Sequence, residues 1–178
     1  RSPKVFIMTM NAGNIPAEHW TQDFEVGGGR IIGEACHYID LMRCLAGSSI
    51  SNYTATMLGV APGIDIREDK ATITLTFEDG SFGTIHYLAN GGKAFPKERI
   101  EVFANDSVLQ LDNFRKLTGF GWKNFKKEGL FRQDKGQKAC VKAFVDGISS
   151  GKPSPIPFEE LIEVSRITVR VAESLRGQ

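Results

Sequence analysis

The sequence lacks several features that would narrow its function at once. Its three cysteines, Cys36, Cys44 and Cys140, are an odd number without C-x-x-C spacing, so neither a disulfide framework nor a thiolate zinc site is expected. On one helix Cys36 and Cys44 would stand about 12 Å apart, too far to bridge. A reducing, cytoplasmic setting is the simplest reading, with no metal site. Neither sign of charge is in excess: 22 Lys and Arg against 21 Asp and Glu leave a net charge of +1. A non-specific grip on a phosphate backbone needs a surplus of basic residues, so nucleic acid is not an expected partner. No apolar run approaches the roughly 20 residues that cross a bilayer, and the start, Arg1-Ser-Pro-Lys, has no signal-peptide pattern, so no membrane partner is expected. The initiator Met is missing, which suggests a processed product or a piece of a longer polypeptide. Neither G-x-G-x-x-G nor G-x-x-x-x-G-K-[ST] occurs, so no nucleotide-binding fold is recognisable within the chain.

What is present is globular. Hydrophobic residues make up 41% and charged residues 24% of 178, and a compact chain of this mass exposes roughly 8,600 Å², burying about 70% of its unfolded surface. Lys4–Met10 reads as a strand followed by a loop. After the Gly27-Gly28-Gly29 triplet, Arg30–Leu45 has helical periodicity, with Gly47 as its C′ residue. Ile31, Ile32, Ala35, Cys36, Ile39 and Met42 form the apolar arc, and Arg30, Glu34 and His37 fall on the opposite side. From Ile50 the period changes to two. Ile50–Gly59, the alternating Thr72, Thr74 and Thr76, and Phe82–Leu88 after an Asp-Gly-Ser turn read as antiparallel strands. Lys97–Ala104 and Val108–Leu111 add a second hairpin, with Lys97, Arg99 and Glu101 on one side and Ile100 and Val102 on the other. Phe114–Phe131 shows no period and reads as an irregular excursion. Asp134–Ile148 and Phe158–Leu175 read as closing helices, the second with acidic residues early and Arg176 late, as the helix dipole favours. The expected fold is α+β: a mostly antiparallel sheet of at least five strands with helices on one face.

Chemistry is best sought at His37 and Glu34, because a three-residue helical offset lets a carboxylate orient or charge an imidazole. A surface pair or a satisfied core histidine is the competing reading. A single Glu-x-x-His falls short of the two such motifs, with added Glu residues, that di-iron bundles use. The glycine triplet opens a helix and so has the makings of an anion site, or else of a tight turn with close packing. Lys97 and Arg99 are candidate anion ligands or a solvated strand face. His19, beside Trp20, and His86, within a strand, read as structural.

The run Gly27-Gly-Gly-Arg-Ile-Ile-Gly-Glu-Ala-Cys-His-Tyr-Ile-Asp-Leu resembles the pattern GGGxxxDxGxHxxD of the Gfo/Idh/MocA oxidoreductases. The order of elements after it resembles that family's C-terminal domain over nearly all of residues 1–178. The family's Rossmann half, with its G-x-G-x-x-G and E-K-P lysine, has no counterpart in this sequence. The resemblance implies the substrate-binding and oligomerisation domain of a larger oxidoreductase, using NAD or NADP bound mainly by a domain absent from this chain. It implies a sugar, nucleotide sugar or cyclitol as substrate, and a homo-oligomer joined through the open sheet face. His37 matches the family histidine that moves the hydroxyl proton. The family's aspartate falls on Gly33, so Glu34 is the candidate replacement or orienting group. Arg30, Lys97, Arg99 and Asn11 are the implied substrate-binding residues. The wording G-G-G-R-I-I-G-E-x-C-H, with Asn11-Ala-Gly and the Pro96-Lys-Glu-Arg stretch, is similar to a subgroup fused to zinc-type alcohol dehydrogenase modules and associated with polysaccharide metabolism. A sugar-binding or oligomerisation module that has lost its chemistry is the alternative.

Overall fold

A computed structural model describes residues 2–177. Eight strands form one sheet: β1 (Val5–Asn11), β2 (Ile50–Met57), β3 (Lys70–Phe77), β4 (Phe82–Leu88), β5 (Glu98–Ala104), β6 (Ser107–Asp112), β7 (Lys116–Phe120) and β8 (Lys127–Gly129). Their order is β2-β3-β4-β1-β5-β6-β7-β8. All neighbours pair antiparallel except β1 and β4, which run parallel. The sheet is therefore mixed: the first strand inserts at its centre, and a long excursion through helix and two strands returns beside it.

Residues 114–131 are not the irregular excursion expected from their pattern. Asn113 and Phe114, at φ 50° and 49°, make a tight turn that returns the chain along β6 as β7, and β8 follows. Both are short strands, β8 at the sheet edge and β7 beside it, where lysines and glycines hide the period of two.

Alternation sorts the strands into two faces. Phe6, Met8, Ile73, Leu75 and Ile85 point to one side and are fully buried beneath Ile39 and Met42 of α1 (Cys36–Ala46) and Val171 and Leu175 of α3 (Phe158–Arg176). Each such side chain contributes about 1.5–3 kcal/mol by leaving water. α1 ends at Gly47, which takes φ 67° and donates its N–H to the Arg43 carbonyl, a left-handed cap of the expected kind. Among the described residues, α1 and α3 supply the helical cover of this face. The remaining helix, α2 (Gln137–Ser149), has Gly147 as its only buried residue, so the expectation that the closing helices all cover the sheet holds for one of the two.

The helix expected from Arg30 is not continuous. Ile31–Ala35 form a π turn, and regular α-helix begins only at Cys36. The wider turn inserts an extra residue and rotates everything after it relative to everything before. That rotation decides the geometry of the site.

Candidate functional site

Arg30 is 4% exposed and sits at the base of the π turn. Its guanidinium donates to the carbonyls of Gly13 (2.7 Å) and Ala12 (3.3 Å) and to Glu34 Oε2 (2.9 Å). It also lies 3.8 Å from Asp69 and 5.3 Å over the Tyr87 ring. Tyr87, buried on the core side of β4, donates its hydroxyl to the same Glu34 oxygen. Lys97 places its Nζ 3.6 Å from Glu34 Oε1. Asp69, 1% exposed, accepts from Gln22 Nε2 (3.2 Å) and Lys70 Nζ (2.6 Å). Two carboxylates and three cations thus close a network at the edge of the core, in which Lys97 is exposed and Glu34 half-buried.

Burial works to raise the Glu34 carboxyl, but the Tyr87 hydroxyl, the Arg30 guanidinium and the Lys97 ammonium outweigh it and hold the group below its ordinary value of 4.5. Glu34 is therefore an anion at neutral pH, a hydrogen-bond acceptor rather than a proton carrier. A carboxyl whose pKa is lower in the folded state stabilises the fold above its unfolded pKa, and that stability disappears as pH falls through the folded value. Acid titration of folding should therefore show a loss of stability beginning near pH 4.5, shallower in Glu34→Gln. Parallel curves for the two proteins would mean that Glu34 titrates alike in both states.

Asn11 supports the loop that carries Lys97. Its Nδ2 donates to the carbonyls of Gly92 (2.9 Å) and Phe95 (3.2 Å), and its backbone N–H donates to the Lys97 carbonyl (2.7 Å). Its Oδ1 is buried without a partner and faces Gly91, where an added Cβ would come within 2.0 Å of it. Glycine is what lets this loop close over Asn11.

Arg99 is not part of this group. It lies on the opposite sheet face, where it pairs with Glu101 (3.4 Å) and Asp112 (3.6 Å). Lys97 precedes β5 rather than extending it, which frees it to turn toward Glu34. The shared strand face expected for Lys97 and Arg99 is therefore not formed.

The π turn also parts Glu34 from His37. Glu34 turns inward to Arg30 and Tyr87, whereas His37 is exposed in a groove of about 320 Å³ between the start of α1 and α3, lined by Ile32, Cys36, Asp40, Leu161, Ser165 and others. Among the described residues the His37 ring makes no hydrogen bond or ion pair, so either ring nitrogen is available to an incoming group. Burial raises the Cys36 thiol above its ordinary value, which leaves it a poor nucleophile beside that groove.

The glycine triplet is a structural turn. The N–H groups of Gly27 and Gly28 both donate to the Asp23 carbonyl. Gly29, at φ 78°, stands where a Cβ would come within 2.6 Å of the Glu68 carboxylate. Amides already engaged and a carboxylate alongside do not fit a dinucleotide's phosphates. His19 accepts from the Thr21 N–H to cap a short 3-10 turn, and His86 lies between the hydroxyls of Thr72 and Thr84. Among the described residues no three His, Cys, Asp or Glu side chains converge as metal ligands, and no helix is long and apolar enough to cross a membrane.

Sequence reasoning missed Tyr87, Asp69 and a second buried carboxylate, Glu98. Glu98 is 1% exposed and accepts from Tyr38 (2.9 Å) and Gln133 (3.2 Å), and it pairs with Lys135. Alternation along β4 does put Tyr87 on the core side, and a buried phenol needs a partner. That was the available signal.

The family described as GFO/IDH/MocA C-terminal domain matches residues 3–109, a span that includes every candidate residue above. The chain belongs to that family. Among curated proteins none matches it. Solved structures share its fold. UDP-N-acetylglucosamine 3-dehydrogenase GnnA from Acidithiobacillus ferrooxidans is 16% identical with a TM-score of 0.73, over 99% of this chain and 55% of that one. Aldose-aldose oxidoreductase from Caulobacter crescentus is 13% identical with a TM-score of 0.74, over 97% and 53%. An NAD binding oxidoreductase from Klebsiella pneumoniae is 20% identical with a TM-score of 0.73, over 99% and 57%. The chain spans little more than half the length of these structures.

Proposed function

We propose that this chain is the substrate-binding and oligomerisation half of an NAD(P)-dependent oxidoreductase that acts on a hydroxyl of a sugar, nucleotide sugar or cyclitol. The observation that carries the reading is the family match across a half-buried carboxylate and an exposed ammonium, Glu34 and Lys97, set in a charged network. Such a pair offers one acceptor and one donor to neighbouring hydroxyls of a polyol. Arg30, buried, holds Glu34 and the Ala12-Gly13 carbonyls in place and acts by positioning. Asn11 does the same for the loop of Lys97. His37, with free ring nitrogens, accepts or returns the proton of the reacting hydroxyl. The subgroup resemblance favours sugars of polysaccharide metabolism.

NAD or NADP supplies hydride transfer when bound; the turn at Gly27-Gly28-Gly29 does not fit its phosphates, and the reading assigns the cofactor mainly to a Rossmann half outside this chain. Titration calorimetry of the 178-residue chain should therefore show no saturable NAD(H) or NADP(H) binding at micromolar concentrations, and the complete gene product should bind and turn over. Saturable binding by the chain alone would mean a nucleotide site of another design. Substrate binding without turnover in the complete protein would favour the alternative, a sugar-binding module, for which Gly33 in place of the family aspartate and the parting of Glu34 from His37 both speak.

The second partner in this reading is another copy. On the face away from the helices the register aligns Phe82, Val5, Phe103, Val108 and Phe120 in one row across five strands. The three phenylalanines are 46%, 37% and 52% exposed, and an aromatic row of that length on a monomer is ordinarily covered. Sedimentation equilibrium at micromolar concentration should give at least a dimer for the parent and a monomer for Phe103→Asp. A monomeric parent would remove the sheet face as an interface.

A further inference from the structure

We infer that Asn90 is a site of spontaneous covalent modification: the Gly91 nitrogen displaces ammonia from its side chain, and the isoaspartyl link that results lifts the loop of Lys97 off Asn11. The modification stands on the chemistry of this loop alone, and its effect on substrate binding rests on the functional reading above.

Seven asparagines occur in the sequence, and Asn90 alone precedes a glycine. Asparagine is a labile residue, because the amide nitrogen that follows it lies within reach of its side-chain carbonyl carbon. A Cβ on the following residue hinders that approach, and glycine has none. The fold also requires this glycine: a Cβ at Gly91 would come within 2.0 Å of Asn11 Oδ1. Packing over Asn11 therefore keeps in place the residue that opens Asn90 to attack. Every residue from Asn90 to Lys97 is exposed. Among the described residues no N–H from Asn90 to Ala94 donates a hydrogen bond of normal geometry. The side-chain bonds that hold the loop come from Asn11, to Gly92 and Phe95, and none comes from Asn90. Two similar pairs show what shields such a site. Asp79 carries no amide that could leave, its Oδ1 accepts from the Ser81 N–H, and the Gly80 N–H is tied to the Phe77 carbonyl. Asp146, before Gly147, lies within α2 and pairs with Lys142.

The step is a cyclisation followed by hydrolysis. A solvent base takes the Gly91 N–H proton and the nitrogen bonds to Asn90 Cγ. The Cγ–Nδ2 bond breaks, and Nδ2 leaves as ammonia with a proton from water. Water then opens the five-membered imide. Attack at Cγ leaves aspartate, whereas attack at the main-chain carbonyl carbon leaves isoaspartate, in which the backbone runs through Cβ and Cγ. Each event consumes one water, releases one ammonia and turns a neutral amide into a carboxylate. Isoaspartate also lengthens the backbone by one atom. Ala89, fully buried and bonded through its N–H to the Asp69 carbonyl (2.9 Å), holds the chain on one side. The added atom therefore enters on the Gly91 side, where Asn11 leaves no room. The bonds that give way are those from Asn11 Nδ2 to Gly92 and Phe95 and from the Asn11 N–H to the Lys97 carbonyl. Lys97 then loses its fixed approach to Glu34.

Peptide mapping by mass spectrometry tests this on the complete gene product, aged in mildly alkaline buffer. Asn90 is expected to gain one mass unit at least tenfold faster than any of the other six asparagines, and an isoaspartyl methyltransferase should methylate the same peptide. Asn90→Ser, at an exposed position without side-chain bonds, should abolish both signals. Equal rates at all seven asparagines, or modification of Asn90 only after unfolding in urea, overturns the proposal. Hydrogen exchange at the Asn11 and Phe95 N–H groups, which donate to the Lys97 and Gly92 carbonyls, reads the loop. The isoaspartyl form should exchange faster at both than fresh protein. Asn90→Asp, which adds the charge without lengthening the backbone, should not. Unchanged exchange in the isoaspartyl form overturns the lifting of the loop. In a protein that turns over a sugar, KM should rise at least threefold as the parent ages and stay constant in Asn90→Ser. An unmodified Asn90 in an active enzyme refutes this site and leaves the function standing; a modified Asn90 in a protein without turnover does the reverse.

Discussion

His37→Ala in the complete enzyme is expected to lower kcat by about 10²–10⁴-fold, the usual contribution of a positioned acid or base, while the fold keeps its stability within about 0.5 kcal/mol. The second half of that expectation comes from the geometry: the ring is exposed and forms no bond among the described residues, so truncating it opens no cavity and leaves no group unpaired. A loss of rate without a loss of stability is the signature of chemistry rather than scaffolding. Glu34→Gln should behave differently. Glu34 is held as an anion by three partners and faces away from His37, so its removal is expected to raise KM more than it lowers kcat. Equal losses of kcat in both variants would instead mark Glu34 as the functional replacement for the aspartate missing at Gly33. Turnover of His37→Ala within about threefold of the parent, in a normally folded protein, would make His37 structural and the binding-module reading the better one.

The separation of those two residues shows where sequence reading reached and where it stopped. The apolar arc from Ile31 to Met42, the Asp-Gly-Ser turn and the cap at Gly47 were legible because each is local: periodicity and turn chemistry act over a few neighbours. The π turn was not legible. An arc as broad as Ile31, Ile32, Ala35, Cys36 and Ile39 tolerates one extra residue per turn without any change in which side chains are buried. Polar residues on the other side have no such tolerance, so Glu34 and His37 lost their shared face while the core kept its own. The pairing of Glu98 with Lys135 was invisible for another reason, since 37 residues separate two charges whose meeting depends on the whole sheet. The patterns of α2 and α3 are alike as sequence, and only the folded chain shows that the inner stripe of α3 is covered and that of α2 is not.

Arg30→Met is expected to be the most destabilising single change at the site, by about 3–5 kcal/mol, because it breaks a buried ion pair from one side only. Methionine fills much of the volume, so the loss is electrostatic and hydrogen-bonding rather than a cavity. The carbonyls of Ala12 and Gly13 lose their donor, Glu34 keeps only Tyr87 and Lys97, and Asp69, 1% exposed, keeps Lys70 and Gln22 but loses the nearby guanidinium. Arg30→Lys should recover less than half of the loss, since one ammonium cannot reproduce a planar fork that reaches two carbonyls and a carboxylate at once. Urea denaturation would measure both, with an unchanged m-value showing that the unfolding remains two-state. The double variant Arg30→Met with Glu34→Gln tests whether the pair acts together. If the network is a unit, the second change should cost less in the Arg30→Met background than in the parent, with a coupling of about 0.5–3 kcal/mol. Additive losses would mean that Arg30 works through the Ala12-Gly13 loop alone. A total loss under about 1 kcal/mol for Arg30→Met would show that water replaces the guanidinium, and Arg30 would then hold neither Glu34 nor the loop in place for a substrate.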